Sequence, residues 1–258
     1  MNIYNYVSDL QLSVGESKRF NCPHCNGYKS FTATNNMGTL LWNCYKVTCY
    51  MGGSARIRLS VDDIRDAIDP RVVEDYDSID DFVLPEHIVP HNNRPNVMAW
   101  CKSWGIDTTK IELYYDVKED RVVFPIIHHK MVDATGRSLG KKLPKWKRYG
   151  KNSLPFIHGN GRVAVVVEDC VSAIAVGNEV YAGVAVLGTS LTEAHKRYLM
   201  QFSTAIIALD PDALPKTLSF AKELRGYVND VKVLRLQDDL KYKKERDYEE
   251  LKLITPKE

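Results

Sequence analysis

The sequence predicts an α/β fold: a mostly parallel sheet flanked by helices, preceded by a small N-terminal β ribbon built around a metal. Three observations carry this. Short apolar runs alternate with helix-like stretches through the C-terminal part, an order that implies a parallel sheet with right-handed crossovers. Four of the six cysteines fall between Cys22 and Cys49. Acidic residues follow three of the four apolar runs, where open parallel sheets place their chemistry.

Residues 1–58 hold short strand-like runs, Lys29-Ser30-Phe31-Thr32 and Thr39-Leu40-Leu41-Trp42, and too few aliphatic residues for an ordinary core. A unit that small needs a staple. Cys22-Pro23-His24-Cys25 is a C-x2-C knuckle and Cys44 to Cys49 a C-x4-C knuckle. Two such knuckles bring four thiolates to one tetrahedral zinc, a closed structural site that supplies folding energy. With Cys22, Cys25, Cys44 and Cys49 available, His24 is expected to point outward. No basic n-region with an apolar run opens the chain, so reduced thiols holding metal are expected rather than disulfides. Tyr28, Trp42, Asn43 and Tyr45 beside the knuckles suit stacking on bases.

Residues 59–95 read as an acidic linker. Nine acids from Asp62 to Asp81 face only Arg65 and Arg71, Pro70, Pro85, Pro90 and Pro95 punctuate the segment, and one short helix is predicted over 61–68. From residue 96 the pattern turns globular, with a helix over 96–104 and a buried strand, Arg121-Val122-Val123-Phe124-Pro125-Ile126-Ile127. A basic loop follows, with Lys130, Arg137, Lys141, Lys142, Lys145, Lys147, Arg148 and Lys151 against Asp133 alone, and Trp146 and Tyr149 interleaved. Cations beside aromatic rings suit single-stranded nucleic acid, charge for phosphate and flat faces for bases; a solvated hairpin has the same composition. Gly136 to Lys142 is no nucleotide P-loop, because the glycines are too close together and no Ser or Thr follows the lysine. A motor ATPase is therefore not expected.

Strands are predicted at 163–167, 181–187, 204–209 and 231–236, and helices at 169–176, 192–202 and 214–227. Glu168 follows the first strand, Asp210-Pro211-Asp212 the third and Asp238-Asp239 the fourth. Asp-x-Asp at a strand end, completed by a glutamate from a neighbour, suits Mg²⁺ held by a few carboxylates with waters left in place. Each acid alone would equally suit a cap on the helix that follows its strand.

Charge and hydropathy bound the rest. With 35 Lys+Arg against 33 Asp+Glu, a net charge of +2 and 44% hydrophobic residues, the chain is expected to be a globular protein with segregated charge. No apolar run approaches the roughly 18 residues that span a bilayer, so no membrane partner is expected.

Glu168 after an apolar strand, then Asp210-Pro211-Asp212, then Asp239, resembles the TOPRIM domain of primases and topoisomerases. With the upstream cysteine ribbon, the resemblance narrows to DnaG-type primases. Gly136-Arg137…Pro144-Lys145-Trp146 looks like that family's G-R…P-K-Y segment, and Arg121 to Ile126 like its R-x-x-F-P-I strand. The order fills the chain and is similar to phage primases, such as the primase halves of podoviral primase-helicases. The resemblance implies 1–58 as a zinc-ribbon domain, 96–160 as a basic N-terminal subdomain of the RNA polymerase domain, and 161–258 as the TOPRIM subdomain. It implies a DNA-directed RNA polymerase making primers on single-stranded DNA from ribonucleoside triphosphates, with Glu168, Asp210, Asp212 and Asp239 catalytic, the first three holding Mg²⁺. Arg137, Lys141, Lys142, Lys145, Lys147 and Arg148 become nucleotide or template contacts. A separate replicative helicase and the cytoplasm of an infected bacterium are also implied. A TOPRIM nuclease and a non-catalytic single-strand-binding replisome adaptor are the alternatives. One departure stands out: the family commonly has Glu-Gly where this chain has Glu168-Asp169, and Asp169 either caps the helix or crowds the site.

Overall fold

The computed structural model describes residues 2–59 and 81–256. The helix expected over 61–68 and most of the acidic linker lie outside them. Three sheets organise the described residues.

The first is a four-stranded antiparallel meander, preceded by α1 (Ile3–Ser8), whose first turn is capped by Asn2. Its strands are β1 (Ser17–Phe20), β2 (Phe31–Asn36), β3 (Thr39–Cys44) and β4 (Gly52–Arg56). Met37 and Gly38 both take positive φ, 45° and 83°, between the paired residues Asn36 and Thr39. That is the two-residue turn whose twist matches an antiparallel pair. The core beneath is small: Val7, Leu12, Phe31, Ala33, Leu40 and Trp42, finished by Cys22, Cys44 and Cys49.

The second sheet is antiparallel and runs in chain order: β5 (Ile88–Pro90), β6 (Tyr114–Asp116), β7 (Arg121–His128), β8 (Lys130–Ser138) and β9 (Trp146–Arg148). The helix α2 (Pro95–Ser103), with proline in its first turn, packs on it through Val97 and Cys101. Two expectations are corrected here. The basic loop is largely a strand hairpin, β8 and β9: Val132 to Gly136 form a continuous buried run in β8, while three of the lysines gather in the connection. The expected linker, 59–95, ends too late, since β5 is already paired with β6.

The third sheet contains β10 (Phe156–His158), β11 (Val163–Val167), β12 (Tyr181–Ala185), β13 (Thr204–Ile207) and β14 (Asp230–Val233), in the order β10-β12-β11-β13-β14. All neighbours are parallel except the edge strand β10. Because β10 belongs to this sheet, the expected boundary after residue 160 falls one strand late. Between and after these strands come α3 (Cys170–Val176), α4 (Glu193–Leu199), α5 (Leu214–Leu224) and α6 (Glu245–Ile254). The central strand β11 is buried on both faces. Val163, Val165 and Val167 pack toward α3, α6 and the second sheet, and Ala164 and Val166 toward α4 and α5. Two-sided burial explains why the strand reads as an unbroken apolar run. The lone cysteines, Cys101 and Cys170, are buried in the same core.

α3 lies so close to β12 that a Cβ on Gly183 would sit 2.2 Å from the Ala173 carbonyl oxygen. Backbone cannot yield as a side chain does, so Gly183→Val is expected to lower stability by about 3 kcal/mol. A urea midpoint equal to that of the parent protein would refute this close packing.

No helix among the described residues is long and apolar enough to cross a membrane.

A thiol centre, a carboxylate edge and a basic hairpin

Cys22, Cys25, Cys44 and Cys49 converge, with all four sulfur atoms within 4.8 Å of one another. Cys22 and Cys49 Sγ lie 4.0 Å apart, and Cys25 and Cys44 Sγ 3.8 Å. Four sulfurs bound to zinc at about 2.3 Å have edges near 3.8 Å, so the set has the size of a tetrahedral zinc site. Burial pushes the Cys49 thiol up to about 12, whereas the Gly27 N–H holds Cys25 down to about 7. Thiols this close resist shedding protons together, and a cation relieves that. His24 is exposed, with Nδ1 3.8 Å from Cys49 Sγ, so it flanks the centre from outside the four-sulfur set.

The ribbon is seated on α5, a helix flanking the third sheet, and on the turn that follows it. Asn43 Nδ2 donates to the Lys222 carbonyl (2.7 Å) and Asn36 Nδ2 to that of Tyr227 (3.0 Å), while Lys222 Nζ donates to the Lys46 carbonyl. Tyr45 is packed against this seam, with the Arg19 guanidinium 5.0 Å from its ring centroid.

At the other end of the third sheet, the direction of winding reverses between β11 and β13, the pair of strands that end in Glu168 and Asp210. A crevice at that reversal is where open parallel sheets bind ligands. Glu168 Oε1 accepts from Lys216 Nζ (3.1 Å), which also donates to the Gly188 carbonyl. Asp210 is half-buried; burial, then the charges of Asp239 and Glu168, push its carboxyl up to about 7. Asp212 is exposed on the 3-10 turn Pro211–Ala213. Asp239, past β14, is paired with Lys241. Asp169 caps the helix, Oδ1 accepting the Ser172 N–H of α3 (2.9 Å), and its Oδ2 accepts from Lys241 Nζ (2.9 Å), which neutralises it. Burial works against the Lys241 charge, but the two carboxylates outweigh it and leave the ammonium above its usual range. Among the described residues, the cysteines are the one set of three or more Cys, His, Asp or Glu side chains gathered within metal-sharing reach. Glu168, Asp210 and Asp239 stand wider, close enough to repel and screened by two lysines.

Sequence reasoning passed over Lys216, Lys241 and Asp247. Asp247 on α6 is 1% exposed and accepts the N–H groups of Gln237 and Asp238, fixing the turn that presents Asp239. Its signal is faint, one acid in a charged helix.

The basic hairpin reaches the same region. Arg137, on β8, lies over Trp146 (5.7 Å); burial works against its charge and holds it below its usual range, and the Asp169 carboxylate offsets part of that. Lys141, Lys142 and Lys145 are exposed in the connection from β8 to β9. The other two expected contacts are turned inward. Lys147 is bound to Glu119, and Arg148 gives Nε to the buried Asp133 and Nη2 to the carbonyls of Asn152 and Leu154. Arg148 therefore has its guanidinium committed to Asp133 and to the loop that follows β9.

Arg121 sets the hairpin's shape. It is fully buried, pairs through Nε with Glu119, and donates through Nη1 to the carbonyl of Pro144 (2.8 Å). Pro144 directly precedes Lys145. Arg121→Met is expected to destabilise by about 3 kcal/mol, since it strands partners of a buried charge. The drop should appear as a lower urea midpoint; an unchanged midpoint would show the contact to be idle.

No protein-family model and no curated protein matches the sequence. Solved structures do. The zinc-binding and RNA polymerase domains of the Aquifex aeolicus primase superpose with a TM-score of 0.51 at 19% identity, over 98% of this chain and 82% of that one. The primase fragment of the bacteriophage T7 primase-helicase protein is similar at a TM-score of 0.44 and 13% identity, over 92% and 98%. The chain thus has the expected fold, a primase-type α/β sheet with an N-terminal cysteine ribbon.

Proposed function

We propose that this chain is a DNA primase, joining ribonucleotides on a single-stranded DNA template. The observation that carries the reading is the meeting of two opposite surfaces: carboxylates at the winding reversal of a parallel sheet, and a basic hairpin whose Arg137 stands within electrostatic reach of Asp169. Phosphoryl transfer needs both, because anionic phosphates must be held and the reacting one neutralised. The primase-type fold agrees with this assignment.

In this reading 1–58 is the zinc-ribbon domain, the second sheet the basic subdomain, and the third sheet the TOPRIM subdomain. Glu168, Asp210 and Asp212 are the Mg²⁺ ligands and Asp239 completes the catalytic acids. The donors suit that ion: they are carboxylate oxygens alone, and the half-buried Asp210 is in want of a cation. When bound, Mg²⁺ would supply charge to the phosphate oxygens of the incoming nucleotide. Arg137 and Lys145 hold nucleotide or template, and Lys141 and Lys142 track the template backbone. Lys147 and Arg148 keep the hairpin in shape. The acids need not act as general bases. A replicative helicase as partner and a bacterial host's cytoplasm complete the proposal.

The test is oligoribonucleotide synthesis across a library of short single-stranded templates, with ribonucleoside triphosphates and Mg²⁺. Labelled primers on a subset of templates are expected. Metal-dependent degradation of DNA without nucleotides would instead mark a nuclease. Salt-sensitive binding without turnover by folded, zinc-loaded protein would mark a replisome adaptor.

A further inference from the structure

Lys241 sits where the acids crowd. Its side chain is only 11% exposed, and its ammonium bridges Asp169 and Asp239, which are themselves 17% and 15% exposed. The turn that carries it is held firmly. Leu240 is buried in the core, Tyr248 Oη donates to the Leu240 carbonyl (3.1 Å), and the Tyr242 ring lies 5.6 Å from that of Trp104. An anchored lysine between two acids is a built contact rather than a loose surface pair. Asp169, the residue that sets this chain apart from the Glu-Gly pattern, is one of the two acids it holds.

We propose that Lys241 is a resident counter-ion of the carboxylate edge: its ammonium takes a position a second cation would otherwise fill, and weakens the edge's grip on divalent ions. The inference rests on reading this edge as a cation site, and it extends that reading to how many ions the edge takes and how tightly. The physical reason is direct. A fixed positive charge a few ångströms from the ligand oxygens repels an incoming ion of twice its charge, and it occupies an Asp239 oxygen that could otherwise bind. Asp169 and Lys241 then form a matched pair, an added acid balanced by an added base. The chain keeps the electroneutrality of a site lacking both.

The experiment measures Mn²⁺ binding to the zinc-loaded full chain, from the electron paramagnetic resonance signal of free Mn²⁺. Lys241→Met is expected to lower the dissociation constant at least about tenfold, the effect of removing one charge at this range. Adding Glu168→Ala to that variant should abolish the gain, which locates the ion at this edge. Because Lys241→Met leaves buried acids unbalanced, Asp169→Asn with Lys241→Met is the second arm. Asparagine keeps the helix cap and the charge balance, so this variant should fold and show a smaller tightening, the part that comes from the freed Asp239 oxygen. An unchanged Mn²⁺ affinity in the double variant overturns the proposal, as does a gain that survives Glu168→Ala. Primer synthesis is scored separately. Tighter Mn²⁺ without primers would uphold the counter-ion and sink the primase reading; primers with unchanged Mn²⁺ affinity would do the reverse.

Discussion

Cys44→Ser is expected to unfold the ribbon. Its buried core has six non-cysteine residues, Val7, Leu12, Phe31, Ala33, Leu40 and Trp42, and the remaining volume is filled by Cys22, Cys44 and Cys49. A core of that size cannot offset the conformational entropy of nearly sixty residues. A structural zinc on four thiolates contributes about 10 kcal/mol or more, and that energy is folding energy. Serine at position 44 keeps the size and loses the soft ligand. It also loosens the end of β3, where the Cys44 N–H donates to the Met51 carbonyl (2.7 Å) and Ser30 Oγ lies 3.5 Å from the sulfur. Zinc content should fall from one per chain to near zero. Limited proteolysis should then cut within residues 2–59 while the rest of the chain survives. A stable, metal-free Cys44→Ser ribbon would refute the staple.

Glu168→Ala is the second large effect, on activity rather than stability. Glu168 ends the central strand and borders the reversal shared with β13, so its carboxylate is the one best placed to serve both sides of the crevice. Removing one preorganised charge at a reacting phosphate is expected to cut primer synthesis by roughly 10³-fold. Template binding should persist, because Arg137, Lys141, Lys142 and Lys145 stand on another sheet. Stability should change by no more than about 1 kcal/mol, since the Lys216 pair is partly solvated and Lys216 keeps the Gly188 carbonyl. Primer yield at the parental level would remove Glu168 from the site.

How far the sequence could be read depended on whether a feature was local. β11 was legible to the residue because two-sided burial leaves no polar position to blur its ends. The knuckles were legible because ligand spacing is a local constraint. Predicted strands 181–187, 204–209 and 231–236 ran past the observed ones, since apolar residues such as Val186, Leu209 and Leu234 stay buried after strand pairing stops. β6 and β9 were hidden because three-residue strands show no period. α6 was hidden because its ten residues, Glu245–Ile254, are mostly charged and bury only Asp247 and Leu251. At the site, the acids announced themselves by following apolar runs. Lys241 and Lys216 did not, because a lysine bound for a carboxylate far along the chain looks like any surface lysine. The inward turn of Arg148 was equally silent, as it depends on Asp133 across the hairpin.

One feature links the two ends of the molecule. Lys216, which holds Glu168, and Lys222, whose carbonyl Asn43 grips, lie on the same helix, α5, about 9 Å apart along its axis. Of the three hydrogen bonds to the cysteine ribbon at that end, two are accepted by main-chain oxygens, of Lys222 and Tyr227, and tolerate any side chain there, whereas the third is donated by the Lys222 ammonium. α5 is thus a short strut: its one end meets the ribbon through Lys222 and its other end meets Glu168 through Lys216, so a displacement at the thiol centre is expected to reach the acidic crevice. Spin labels on the ribbon and on the third sheet should report one narrow separation, and chelating the zinc should broaden it.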